Sequence, residues 1–136
     1  VYKRQYLQLA ISGNIAVNAN TAYEIVFNQV NYDTASGYNS SNGRYVVPVT
    51  GDYLCTLDAQ TTGEVNGFHA GIGINGGSPG TNFDVWNHTG DGVRGDNIAR
   101  VIRITATTQY ISFFAYTTTG GTLEVNRTKA TIKFLG

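Results

Sequence analysis

Apolar and polar positions alternate with a period of two along most of the chain, the pattern of strands that bury one face. Leu7, Leu9 and Ile11 share one side with Gln8 opposite, and Gly13-Asn14 breaks the run. Residues 23–30 form a second extended segment. Its apolar members (Tyr23, Ile25, Val26, Phe27, Val30) fall on both faces, which predicts a strand covered from two sides. Residues 31–44 read as a polar loop containing the turn signal Asn42-Gly43. Residues 44–49 resume a strand with Tyr45, Val47 and Val49 on one side. Pro48 has no N–H to give a ladder, so this strand lies at an edge or ends there. After the turn Thr50-Gly51-Asp52 come a strand over residues 53–60 and another carried by Phe68, Ala70, Ile72 and Ile74. Residues 75–95 are the least regular stretch, rich in Gly, Asn and Asp around the apolar island Phe83, Val85 and Trp86. Residues 98–105 and 109–117 predict two further strands, and Ala130, Ile132 and Phe134 mark a closing one.

About eight to ten short strands separated by turns predict one all-β domain, a jelly-roll sandwich of two antiparallel sheets. Composition agrees. The 136 residues fit a single domain, methionine is absent, and 17 glycines accompany many Asn, Thr, Tyr and Val. Lys+Arg and Asp+Glu balance at 9 each, so no net charge draws the chain to phosphate backbones or anionic membranes, and nucleic acid is excluded as a partner. No apolar stretch approaches the length that spans a bilayer, so membrane insertion is not expected. A single cysteine, Cys55, lies in the alternating run Tyr53, Cys55, Leu57, Ala59 and reads as a buried thiol. Residues 1–5 read as a non-native or linker lead-in, of the kind that sequencing adapters leave on chains assembled from environmental DNA. The alternative is a native basic lead-in. On the first reading the domain proper is residues 6–136, and an upstream stalk is missing.

The order of the central segments resembles the globular head of complement C1q, within the C1q/tumour-necrosis-factor jelly-roll superfamily. The matching pieces are Phe27, Tyr32-Asp33, Gly37, Asn42-Gly43-Arg44-Tyr45, Val47-Pro48-Val49, Gly51-Asp52-Tyr53 and the closing TKATIKFLG of residues 128–136. Cys55 stands where the family usually has an aromatic residue, and no collagen-like stalk precedes the domain. The resemblance implies a jelly roll that forms tight threefold assemblies through aromatic-rich surfaces. Each matching residue also has a structural explanation, so the resemblance concerns a fold and not a site.

The segment Tyr110-Ile111-Ser112-Phe113-Phe114-Ala115-Tyr116 is apolar on both faces. Ile111, Phe113 and Ala115 suit a sandwich core, whereas Tyr110, Phe114 and Tyr116 would lie in water on an isolated sandwich. The expectation is a homotrimer with Tyr110, Phe114, Tyr116 and Tyr45 near its axis; the alternative is that loops of the same chain cover this face.

Candidate chemistry is thin. His69 and His88 are too few for a metal-dependent jelly-roll enzyme, and no nucleophile elbow occurs, so the chain is expected to be no enzyme and to hold no cofactor. Asp84, Asp91 and Asp96 in a Gly-rich region are weak calcium candidates whose spacing matches no ordered calcium loop. Arg94-Gly95-Asp96 spells a tripeptide read by integrins, and Asn39, Asn87 and Asn126 fit glycosylation acceptors; both are short matches in a chain of this composition. The functional expectation is a trimeric recognition head, extracellular or displayed on a virion surface, of microbial or phage origin. Tyr38, Trp86 and Asn87 would contact a glycan or protein from loops. The second reading is a purely structural, self-assembling subunit of a capsid, fibre or matrix.

Overall fold

A computed structural model describes residues 5–75 and 83–136, with the backbone alone for 83–90. The described residues form strands and turns without a helix. In chain order the strands are β1 (Tyr6–Ala10), β2 (Ile15–Val17), β3 (Tyr23–Glu24), β4 (Gln29–Asp33), β5 (Tyr38–Asn39), β6 (Arg44–Val46), β7 (Gly51–Val65), β8 (Phe68–Ile74), β9 (Phe83–Gly90), β10 (Val93–Ile104), β11 (Tyr110–Tyr116), β12 (Gly121–Leu123) and β13 (Lys129–Phe134). They make two antiparallel sheets. The first has the order β2-β12-β7-β13-β1-β4 with β10 on the other flank of β7; the second has the order β5-β6-β11-β8-β9 with β3 also on β11. This is the sandwich the alternation predicts. The strand count is higher because five of the segments are only two or three residues long.

The core lies between the sheets and is built from the alternating inward positions. Leu7 and Leu9 of β1, Tyr53, Cys55, Leu57 and Ala59 of β7, and Ala130 and Ile132 of β13 face Phe68, Ala70, Ile72, Ile111, Phe113 and Ala115 of the second sheet. Phe27 meets Phe113 edge to face at 5.9 Å between ring centres, and Tyr53 packs on Phe134 at 5.1 Å. Each such side chain contributes roughly 1.5–3 kcal/mol when fully buried.

Three sequence expectations change. Residues 23–30 are not one two-sided strand. The chain leaves the second sheet after β3 and joins the first at β4, so Ile25 and Phe27 are buried during the crossing. The backbone groups there find partners without a ladder. Ile25 N–H donates to the Phe113 carbonyl, and Phe27 N–H donates to the Tyr38 hydroxyl at 2.8 Å. The polar loop expected at 31–44 is partly strand, because β4 runs to Asp33 and β5 pairs with β6. Gly43, in its turn, has φ of 79°, and a β-carbon there would sit 2.5 Å from the Ile25 carbonyl oxygen. The irregular stretch expected at 75–95 contains β9, whose backbone pairs with β8 from Phe68↔Gly90 to Gly73↔Phe83. As expected, β6 ends before Pro48, and Cys55 is fully buried.

Candidate interaction surfaces

The two outer faces of the sandwich differ in how far the chain itself satisfies them. On the second sheet, β11 presents Tyr110, Ser112, Phe114 and Tyr116 outward. Phe114 is only 5% exposed in a single protomer, flanked in register by Glu24 of β3 and Gly71 of β8. Tyr116 donates its hydroxyl to Asn20 Oδ1 at 3.2 Å and meets the His69 ring edge to face at 5.4 Å. His69 Nδ1 lies 2.9 Å from the Gly67 carbonyl oxygen. Tyr110 lies under the Arg44 guanidinium, 4.6 Å from its ring centre, and Arg44 Nε in turn donates to Glu24 at 3.1 Å. Tyr45 points inward. It is 1% exposed, and burial pushes its phenol pKa up. These placements describe the expected trimer-contact residues within one protomer. Tyr45 belongs to the protomer core, and Phe114 is covered by its own chain, so neither ring leaves apolar surface for a neighbour to bury.

Tyr38, expected among the loop contacts, is partly buried. The Asp33 carboxylate accepts the N–H groups of Gly37 and Tyr38, the latter at 3.0 Å, and this closes a turn that directs the ring inward. Its hydroxyl accepts the Phe27 N–H, and burial raises its pKa. Trp86 and Asn87 lie on β9, in register with Gly71 and Ala70, so their backbone belongs to a strand and not to a loop; their side chains lie outside the described residues.

Of the calcium candidates, Asp91 accepts the Gly67 N–H at 2.8 Å and Asp96 accepts the Asn97 N–H at 2.7 Å, while the Asp84 side chain lies outside the described residues. Asp96 sits on β10 opposite Ala59, whereas Asp91 lies in the turn before that strand. Among the described residues no three His, Cys, Asp or Glu gather around one point. Arg94-Gly95-Asp96 is not an exposed turn either. It belongs to β10, and a β-carbon at Gly95 would fall 2.0 Å from the Ala59 carbonyl oxygen.

Asp91 belongs instead to a set of side-chain locks at one end of the sandwich. Asn66 Oδ1 accepts the Gly92 N–H at 3.0 Å, Thr119 Oγ1 accepts the Asn66 N–H at 3.1 Å, and Thr118 N–H donates to the Asn66 carbonyl at 2.9 Å. Three turns, at residues 66–67, 91–92 and 117–120, are thereby tied into one polar surface.

The outer face of the first sheet is open. Its rungs, read across β4, β1, β13, β7 and β10, are Tyr32–Gln8–Thr131–Thr56–Ala99 and, from β1 onward, Tyr6–Lys133–Leu54–Val101 and Ala10–Lys129–Asp58–Asn97. Tyr32 is 53% exposed and Val101 52%, and Leu135, continuing the alternation past β13, is 50% exposed. The Tyr6 and Tyr32 rings touch at 5.9 Å. Thr56 and Thr131 share a hydrogen bond, and Arg103 grips the Asp52 carboxylate through Nε and Nη2. In sequence this face is obscured because Tyr32 falls in a stretch of polar loop composition.

No protein-family model matches the chain, and no curated protein does. Among solved structures it is similar to murine APRIL (TM-score 0.74, 13% identity, 98% of this chain and 100% of that one). It is likewise similar to Eiger TNF from S. frugiperda (TM-score 0.71, 10% identity, 98% and 94%) and to the globular domain of zebrafish complement 1qA (TM-score 0.65, 10% identity, 95% and 94%). The chain therefore has the C1q/TNF-like jelly-roll fold. At these identities the likeness shows the fold alone.

Proposed function

We propose that the chain is a homotrimeric recognition head, displayed outside a cell or on a virion surface, that binds a glycan or a protein and catalyses nothing. The observation that carries this reading is the end of the sandwich locked by Asn66, Asp91, Thr118 and Thr119. Three turns fixed by side-chain bonds form a polar surface whose ordering entropy is already lost before a ligand arrives, which is how rigid scaffolds present binding loops. The fold shared with TNF and C1q proteins supports the threefold assembly, by likeness of architecture only. Trp86 and Asn87 remain in the proposed ligand set, at the level of their strand position. Among the described residues no helix is long and apolar enough to cross a membrane.

Two measurements test the reading. Light scattering on the purified chain at micromolar concentration gives three times 14.6 kDa, and a monomer mass refutes the trimer. The trimer also binds members of a glycan array or the surface of intact cells. Asn66→Ala and Asp91→Ala, which unlock the turns, weaken that binding while leaving the mass unchanged. Binding that is untouched by both substitutions rejects the locked end as the contact surface.

The second reading, a structural subunit that assembles only with itself, draws on the open face of the first sheet. Particles or fibres larger than three chains, forming without any ligand, favour it.

A further inference from the structure

We propose that Asn66-Gly67 is a guarded deamidation site, at which the Asp91 carboxylate holds back a reaction that the rest of the turn favours. An Asn-Gly pair can react with itself. The glycine nitrogen loses its proton and attacks the asparagine side-chain carbonyl, forming a C–N bond and a cyclic imide. The C–NH2 bond breaks, and the amide nitrogen leaves as ammonia, carrying the proton that the glycine nitrogen gave up. Water then opens the imide at either carbonyl and leaves aspartate or isoaspartate. No ligand and no partner is needed.

The chain has three Asn-Gly pairs, at residues 42–43, 66–67 and 75–76, and Gly76 lies outside the described residues. At the first pair both groups are held by the backbone of one tight turn. Gly43 N–H donates to the Asn39 carbonyl at 2.9 Å, and Asn42 Oδ1 accepts the Arg44 N–H at 3.1 Å. At the second pair the contacts come from another turn. Gly92 N–H donates to Asn66 Oδ1 at 3.0 Å, and Gly67 N–H donates to Asp91 Oδ1 at 2.8 Å. These two contacts act in opposite senses. A donor on Oδ1 polarises the Asn66 carbonyl and stabilises the oxyanion that attack would create. The carboxylate opposes attack, because a deprotonated Gly67 nitrogen would set a second negative charge at hydrogen-bond distance from the first.

The turn cannot escape the reactive pair by changing its glycine. Gly67 has φ of 57°, and a β-carbon there would lie 2.5 Å from Thr118 Cγ2. Asn66 is exposed, so water for the second step is at hand. Reaction would undo the lock. Aspartate at position 66 brings a second carboxylate toward Asp91. Isoaspartate adds a methylene to the main chain, which displaces the Gly67 N–H from Asp91 and the Asn66 carbonyl from the Thr118 N–H, now 2.9 Å away.

The unchanged chain, Asp91→Ala and Asp91→Asn are incubated in mildly alkaline buffer, with circular dichroism to confirm the β signature. Peptide mass spectrometry follows the change from amide to acid at Asn66 and Asn42. In Asp91→Ala, Asn66 converts about three- to tenfold faster, the factor set by one lost hydrogen bond, while Asn42 keeps the parent rate. Asp91→Asn retains an acceptor oxygen without the charge, and gives a smaller rise at Asn66 alone. Asn42 reports on global structure. Should Asp91→Ala unfold, both sites speed up together, and Asp91→Asn decides the matter. An Asn66 rate that stays at the parent value in every folded variant overturns the guarding role of Asp91.

Discussion

Phe114→Ala separates a partner-covered ring from one covered by its own chain. The ring is 5% exposed in one protomer, so truncation leaves a cavity inside the folded unit and not at a subunit boundary. Replacing a buried Phe by Ala costs about 3–5 kcal/mol, a large part of the roughly 5–15 kcal/mol that holds a domain of this size together. With a urea slope of about 1–3 kcal/mol/M, the unfolding midpoint falls by at least about 1 M. The assay is urea unfolding followed by fluorescence and circular dichroism at two protein concentrations tenfold apart. A protomer defect lowers the midpoint equally at both. Tyr110→Ala, which removes a partly buried ring from the same face, moves the midpoint less. The reasoning fails if Phe114→Ala keeps the parent midpoint but dissociates the assembly, because the ring would then have been stabilising a neighbour.

Other consequences follow from single contacts. Gly95→Val destabilises by more than about 1 kcal/mol, since φ is 155° and the new β-carbon meets the Ala59 carbonyl; an unchanged melting temperature contradicts this close approach. Asp91→Ala speeds amide exchange at Gly67 by roughly three- to tenfold, from a hydrogen bond of about 0.5–1.5 kcal/mol, while the global unfolding midpoint barely moves. Tyr38 and Tyr45 keep their protons above the ordinary phenol pKa of about 10, because burial disfavours the phenolate. The folded state therefore binds more protons than the unfolded chain above that pH, and stability, fully present below it, is lost as pH rises. Tyrosinate absorbance should show these rings ionising only together with the loss of the β signature. Ionisation of all nine tyrosines near pH 10 in a chain that stays folded would contradict their burial.

The strands with strict alternation were legible because a period of two is itself a statement about one buried face. Leu7 and Leu9, the run from Tyr53 to Ala59, and the closing Ala130, Ile132 and Phe134 are all buried as their spacing implies. Residues 25–28 were not legible. A segment that crosses between sheets buries side chains on both sides, and in sequence it is indistinguishable from a two-sided strand. β9 was hidden for another reason: two of its register partners are Gly71 and Gly73, and its own Asn and Gly residues carry loop composition. The inward turn of Tyr38 depends on the Asp33 carboxylate reaching two N–H groups four and five residues on, a local signal that can be read once a turn is suspected there. The coverage of Phe114 could not be read at all, because its neighbour Glu24 lies 90 residues away and only the β3–β11 pairing brings them together.

The division of the surface bears on function. The locked turns at residues 66–67, 91–92 and 117–120 sit at the end where β7 finishes and β10 begins, and both of those strands carry outward residues of the open face. In the proposed threefold assembly, locked ends that lie along the axis face the same side in every copy. Three identical polar surfaces facing one way turn a weak single contact into a strong combined one without any added residue. The proposed trimer predicts different losses from two kinds of damage. Dilution to the dissociated chain should abolish the gain from multiple contacts and leave the single-site affinity intact, whereas Asp91→Ala should weaken the single site itself. Surface-immobilised ligand at low and high density resolves the two: the dissociated chain loses binding only at high density, Asp91→Ala at both. Equal losses in the two cases at every density would mean that assembly and recognition share one surface.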